Sequence, residues 1–327
     1  MPGGGDKGGC MSSSGFVGID LSQERLDVAM RPGGEAFQVA YDSKGVGGLV
    51  KRLAKAKPAR IVLEATGGLE APLVARLSLA GLPVVAVNPR QVRDFAKATG
   101  ELAKSDRIDA GILAHFAEAI RPELRPLPDE ASRALAELVN RRRQIVDMIV
   151  AEQNRLRRTA TPAVRRRIDT HLDFLKRELD DLDTELKTRV HQSPAWQADA
   201  DLLKTVPGVG PTTVASLLAH LPELGKLPRR KISKLVGVAP MADDSGLRHG
   251  HRRIWGGRSN VRTALYMATL VAIRYNPPIR EIYQRLTSAG KPNKLALVAC
   301  MRKLLVILNA MLRDRTPWNP TLASAHP

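Results

Sequence analysis

The chain has 327 residues, 43% of them hydrophobic, which is enough for more than one core and too apolar for a disordered protein. Its net charge of +18 and sequence pI near 10.4 favour an anionic partner, of which nucleic acid is the commonest. Two cysteines, Cys10 and Cys300, exclude a thiolate zinc site and make a thin disulfide framework, which fits a reducing, cytoplasmic setting; the longest apolar run, residues 265–273, is too short to span a membrane.

The charge is unevenly spread. Residues 1–128 carry 17 Lys and Arg against 14 Asp and Glu, residues 129–200 carry 14 against 13, and residues 201–327 carry 20 against 6. The last segment, at +14, is the candidate for continuous contact with a nucleic-acid backbone, whereas the first has room for a cluster of carboxylates. In chain order, residues 1–14 are Gly/Ser-rich, lack the apolar core of a signal peptide and read as a disordered tail. Residues 15–125 alternate strand and helix signals. Strands are expected over 15–20, 26–30, 36–40, 60–64 and 84–87, with Arg31-Pro32-Gly33-Gly34 as a hairpin turn. Helices are expected over 46–54, 70–80, 91–98 and 106–119. An early antiparallel ribbon followed by βαβ crossovers is an α/β domain. The prolines of residues 121–128 mark a linker.

Residues 129–195 read as a helical hairpin. Ile168, Leu172, Leu175, Leu179, Leu182, Leu186 and Val190 step by three and four, the seam of a coiled coil. The first arm repeats the seam through Leu135, Leu138, Ile145, Ile149 and Leu156, with Arg142 and Glu152 interrupting it. Thr161-Pro162 separates the arms. The first arm is basic and the second acidic, so they suit each other or a second copy; a plain spacer is the other reading. Residues 200–320 are expected to be mainly helical. There Val206-Pro207-Gly208-Val209-Gly210-Pro211 has the form of a helix-hairpin-helix turn, in which Gly208 and Gly210 would let the backbone approach a phosphate. An ordinary tight turn has the same composition.

Four acids stand out in the first domain. Asp20 ends the first strand in Gly18-Ile19-Asp20, and Glu64 ends a later one in Glu64-Ala65-Thr66-Gly67. Asp106 and Asp109 stand three apart in Lys104-Ser105-Asp106-Arg107-Ile108-Asp109-Ala110, on one face of a helix. Each alone is a solvated carboxylate or a cap; Ser105 and Asp106 suit capping in particular. Together they would repel unless a hard cation sat among them, and Mg²⁺ takes oxygen ligands. Two such ions serve phosphodiester chemistry, so the set reads as an RNase H-like site. In the basic C-terminal part, Ser245 precedes a glycine in a loop dense in cations, including Arg248, Arg252 and Arg253. By residue type Ser-Gly is only a turn, but a serine among phosphate-holding cations could attack phosphorus if a base or metal activated it.

These residues also carry a resemblance. Gly18-Ile19-Asp20 with Leu26-Asp27-Val28, Glu64-Ala65-Thr66-Gly67, Val87-Asn88-Pro89, the Asp106/Asp109 motif, Pro207-Gly208-Val209-Gly210, Gly237-Val238-Ala239-Pro240 leading to Ser245-Gly246, and Arg262-Thr263-Ala264-Leu265-Tyr266-Met267 occur in the order seen in the DEDD-type insertion-sequence transposases. The chain resembles that family, described as bridge-RNA-guided DNA recombinases and including the Piv-type DNA invertases, from Gly18 to about Leu312. Leu247, Arg248 and His249 depart from the small polar residues frequent in relatives. The resemblance implies a RuvC-like domain whose acidic tetrad falls on Asp20, Glu64, Asp106 and Asp109, holding Mg²⁺. It implies a coiled coil that assembles protomers into a dimer or tetramer, and a C-terminal transposase domain whose nucleophile falls on Ser245. It further implies active sites shared between subunits, target and donor DNA as substrates, a structured guide RNA as partner, and no membrane. Arg141, Arg142, Arg143, Arg155, Arg157 and Arg158 of the basic arm, and Arg262, are further candidates for nucleic-acid contact. A Holliday-junction-type structure-selective nuclease and a non-catalytic nucleic-acid-binding protein are the competing readings.

Overall fold

The computed structural model describes residues 15–101, 106–124, 129–242, 244–245, 248–250 and 252–321, with only the backbone for residues 106, 107, 248 and 249. The expected N-terminal tail, part of the linker, and Gly246 beside the serine lie outside the described residues. The chain divides into two compact units, Met1–Leu127 and Pro128–Pro327.

The first unit is a mixed α/β domain on a five-stranded sheet. Strands β1 (Phe16–Leu21), β2 (Arg25–Arg31) and β3 (Ala36–Ala40) form an antiparallel meander. After α1 (Ser43–Ala56), β4 (Arg60–Glu64) returns parallel to β1, and after α2 (Ala71–Leu79), β5 (Val84–Val87) lies parallel to β4. The strand order is β3-β2-β1-β4-β5. Alternation along the strands makes two apolar faces. Val17, Ile19, Leu26, Val28, Ile61 and Leu63 pack with α1 and α2 on one side. Phe16, Val62, Val85 and Val87 pack on the other against α3 (Pro89–Ala98) and α4 (Asp106–Ile120). Asn88 caps α3 by accepting from the Arg90 N–H at 2.9 Å, and Pro89 supplies its first turn, which explains the Val87-Asn88-Pro89 motif.

The second unit is mainly helical. α5 (Glu130–Arg158) and α6 (Pro162–Gln192) run antiparallel. The two polar interruptions of the seam meet partners across it: Arg142 pairs with Asp183 at 2.6 and 3.1 Å, and Glu152 lies 3.4 Å from His171. Ile145, Ile149, Leu172 and Leu175 form a cluster of their own, while Leu135, Leu186 and Val190 belong to the larger core beyond. That core is built by α7 (Pro194–Lys204), α8 (Pro211–His220), α9 (Arg229–Val236), α10 (Ser259–Tyr275), α11 (Pro277–Ser288) and α12 (Asn293–Asp314). α12 is long and apolar enough to cross a membrane by length and composition, because charged residues interrupt its apolar stretch without lowering its mean hydropathy far. It is instead a core helix, with Leu304, Leu305 and Leu308 fully buried.

Candidate active site

Asp20 and Glu64 stand at the same end of the sheet for a reason visible in its register. β1 and β4 are adjacent and parallel, with Ile19 beside Leu63, so Asp20 and Glu64 are the next step along neighbouring strands. Adjacent strands lie about 4.8 Å apart. Both acids share a face with Phe16, Gly18 and Val62, the side covered by α3 and α4. Gly18 sets how closely α4 lies. A Cβ there would stand 2.2 Å from the Ala110 carbonyl oxygen and 2.3 Å from the Ala114 amide nitrogen, so only glycine lets the helix backbone rest on β1. Ala29 of β2 packs on Ala110 and Ala114 as well. Asp109, one residue before Ala110, and Asp106, the first residue of α4, thus belong to the helix end nearest the ends of β1 and β4. Asp20, Glu64 and Asp109 are each half-buried and each makes an interaction. Among the described side chains no three acids, histidines or cysteines form a ready metal cluster; the Asp106 side chain lies outside them. All four are hard oxygen donors, on elements that bring their backbones together, and this donor set suits a hard divalent cation.

Two further acids build the surroundings, and their part depends on contacts that the sequence alone does not display. Asp27 stands directly opposite Asp20 across β1 and β2 and is 5% exposed. One of its oxygens accepts from Gln38 Nε2 at 2.7 Å, the other from Arg25 Nε at 3.3 Å. With both oxygens engaged, it is a wall of the site. Glu70 braces the turn that follows Glu64, accepting from the Thr66 N–H at 3.1 Å, the Thr66 hydroxyl at 3.0 Å and the Gly68 N–H at 2.9 Å. Burial pushes its carboxyl up, but the hydrogen bonds from the backbone and Thr66 together outweigh it and hold the group below its ordinary range. Gly67 and Gly68, at φ 84° and 125°, supply the backbone this turn needs. The only signal in the sequence was Thr66-Gly67-Gly68 followed closely by an acid.

Ser245 lies in the second unit, in a segment expected to be a loop. Two small ribbons organise it: β6 (Pro240–Met241) pairs with β9 (Arg253–Ile254), and β7 (Asp244–Ser245) with β8 (Arg248–His249). Ser245 is exposed, opposite Arg248 in the register, and Arg252 reaches Asp244 at 4.0 Å. The excursion is pinched at its base. A Cβ on Gly237 would stand 2.1 Å from the Gly256 oxygen, and one on Gly257 would stand 2.3 Å from the Gly237 nitrogen. Arg262 donates to the Gly256 carbonyl at 2.5 Å, so its guanidinium braces this neck. Arg258 holds Glu223 through two bonds of 2.6 Å and the His220 carbonyl at 2.8 Å.

The remaining cations singled out are partly engaged. Arg142 is tied inside the hairpin, Arg155 bonds Glu152 at 2.6 Å, and Arg143 bonds Asn260. Arg141 donates to Gln144 at 3.3 Å, and Arg157 and Arg158 are exposed. Gly208, at φ 100°, lies in the turn between α7 and α8 and backs onto Ala272 of α10, where a Cβ would come within 2.8 Å; space at Gly210 is open.

Two family models match the chain. One, described as Transposase, matches residues 17–162, which contain all four acids; the other, described as the Transposase IS116/IS110/IS902 family, matches residues 200–284, which contain Ser245. The pilin gene-inverting protein of Moraxella lacunata is 27% identical over 263 residues, covering 79% of this chain and 81% of the relative. The insertion element IS110 protein of Streptomyces coelicolor is 31% identical over 117 residues, 35% of this chain and 29% of the relative. The insertion element IS900 protein of Mycobacterium paratuberculosis is 29% identical over 156 residues, 46% of this chain and 38% of the relative. With the acid-bearing sheet inside one match and the serine-bearing loop inside the other, the chain belongs to the IS110/IS116-type family of insertion-sequence transposases and DNA invertases, and it is an enzyme that transposes or recombines DNA.

Proposed function

We propose that the first unit is a RuvC-like catalytic domain in which Asp20, Glu64, Asp106 and Asp109 hold Mg²⁺, and that Ser245 is the nucleophile of a strand-exchange reaction on target and donor DNA. The observation that carries this reading is the contact at Gly18. It holds α4, whose first turn carries the two aspartates, against β1 two residues before Asp20, and β4 with Glu64 lies beside β1. When bound, the metal would supply Lewis-acid stabilisation of charge building on the phosphate.

The protein's own groups would do the rest. Glu70 and the glycine turn hold the backbone after Glu64, so that carboxylate is presented from a fixed strand end. Asp27, bonded to Arg25 and Gln38, would bar water from one side. The Ser245 oxygen would bond to phosphorus as the bond from phosphorus to the departing deoxyribose oxygen breaks, and its proton would pass to a base. Arg252, close to Asp244 on the same loop, would hold the phosphate. The exposure of Ser245 and its glycine-pinched loop support this use, since a nucleophile for DNA must reach a bulky substrate.

The helical hairpin would assemble protomers into a dimer or tetramer. The α7–α8 turn would act as a helix-hairpin-helix contact with the DNA backbone. A structured guide RNA would select target and donor, a part of the reading that rests on family resemblance alone.

The test is a strand-exchange assay with the guide RNA supplied. Asp20→Asn and Ser245→Ala should each lower exchange by more than about a thousandfold while nucleic-acid binding persists. A covalent protein–DNA adduct should form in the parent and be absent from Ser245→Ala. Cleavage that survives in Ser245→Ala would instead favour a nuclease that uses water.

A further inference from the structure

The second unit holds a groove of about 1090 Å³ that shares only Arg252 with the chemistry above. Arg229 and Arg230 border it at the start of α9, Arg253 enters from β9, Arg285 from α11, and Arg302 and Lys303 from α12. Eight Lys or Arg line it in all, and no Asp or Glu is among the described residues that do. Between the cations the wall is aliphatic, with Leu286 from α11 and Leu295 and Val298 from α12. Leu295 is 47% exposed, so apolar surface is left in water beside concentrated positive charge. The Lys303 ammonium is held below its ordinary range, first by burial and then by the charge of Arg285.

That combination selects a ligand. Crowded cations without acids favour a polyanion. An aliphatic wall among them favours an anion that carries an uncharged, flat or apolar group beside each charge. A duplex presents its phosphates but keeps its base faces stacked inside. An unpaired strand presents both, with phosphates along one edge and bases free to lie on an apolar surface. The volume stands at the upper end of ligand pockets, which run roughly 300–1,000 Å³, and admits more than one unstacked nucleotide. No aromatic side chain is among the described lining residues, so bases would be held by burial and not read for sequence. The groove also adjoins the serine loop: Arg253 pairs in β9 with Met241 of β6, four residues before Ser245.

We propose that this groove binds an unpaired DNA strand next to the phosphate presented to Ser245, with phosphates on the cationic rim and bases on Leu286, Leu295 and Val298. The inference rests on the strand-exchange reading for its purpose, but the binding needs no catalysis, so either can fail without the other.

The test is fluorescence anisotropy on the full chain. The probes are a single-stranded DNA of about 12 nucleotides, an abasic strand of equal length, the matching duplex, and RNA of the same sequence. Leu295→Asn should weaken the single strand about fivefold and leave the abasic strand unchanged. Arg285→Ala with Arg302→Ala should weaken both single strands, lower the salt slope by about 0.7 per lost phosphate contact, and leave the duplex within about twofold. Arg230→Ala, at the exposed start of α9, repeats the second arm should the double variant fail to fold. The proposal is overturned if these variants bind the single strand as the parent does, if the duplex weakens equally, or if RNA displaces the DNA at far lower concentration.

Discussion

Both units use glycine to bring backbone against backbone, and they use it for opposite ends. In the first unit Gly18 lets a helix settle onto a central strand, which fixes acids on rigid elements inside a sheet. In the second, Gly237 and Gly257 close the neck of an excursion, which leaves Ser245 exposed on a two-residue strand. Carboxylates that must share a cation need fixed separations, and a sheet edge supplies them. A nucleophile that must meet a large substrate gains from a loop, provided its base is held. The two kinds of residue proposed to act therefore sit on the two kinds of scaffold that would suit them.

Substitution at the close approaches should break this contrast most sharply. Gly18→Ala is expected to cost about 1–3 kcal/mol by overpacking, and to lower exchange at least about a hundredfold because the start of α4 is displaced. Gly111→Ala is its control on the same helix: nothing lies within 4 Å of a Cβ there, so it should be neutral or stabilise by about 0.4–1 kcal/mol. In the second unit Gly237→Ala meets both a left-handed backbone and the Gly256 oxygen, whereas Gly256→Ala, at φ 65° with open space, meets the backbone penalty alone, about 1–2 kcal/mol. Chemical denaturation of the four variants, set beside their exchange rates, measures each difference. Equal effects for Gly18→Ala and Gly111→Ala would remove the helix–strand contact from the account.

A smaller effect separates the units by pH. His220 lies in the second unit, and its Nε2 has no hydrogen-bond partner among the described residues. Burial first, and then the charges of Arg143 and Arg258, hold it below its ordinary value of 6.5. The unfolded chain therefore takes up a proton at a pH where the folded chain does not, and stability falls as pH drops through 6.5. One proton limits the slope to about 1.4 kcal/mol per pH unit. Glu70 of the first unit is depressed from 4.5, so its contribution is present above that pH and is lost as pH falls further, through its folded value. All three tryptophans, Trp196, Trp255 and Trp318, belong to the second unit, so their fluorescence follows that unit alone. Denaturation read by tryptophan should weaken between pH 7 and 5, and His220→Gln should flatten that dependence.

Much of the first unit was legible in the sequence because its signals are local. Residues 36–40, 60–64 and 84–87 read as strands from β-branched and apolar runs and are strands with those bounds. The seam of the hairpin was legible for the same reason, down to the two polar interruptions that meet partners across it. What was not legible depends on contacts distant in sequence. Nothing near Gly18 announces Ala110, nothing near Glu70 tells a helix start from a brace for the turn after Glu64, and nothing near Gly237 announces Gly256. The ribbons β6 to β9 are two residues long, too short for alternation to register. The groove is assembled from α9, β9, α11 and α12, so its concentration of cations exists only in the fold.

The central proposal is that Asp20, Glu64 and the α4 aspartates together hold divalent metal. Titration of the full chain with Mn²⁺, followed by electron paramagnetic resonance, tests it without requiring DNA, RNA or turnover. The account predicts bound Mn²⁺ in the parent that Mg²⁺ displaces, and its loss in each of Asp20→Asn, Glu64→Gln and Asp109→Asn with the fold intact. Mn²⁺ held undiminished by all three variants would contradict it.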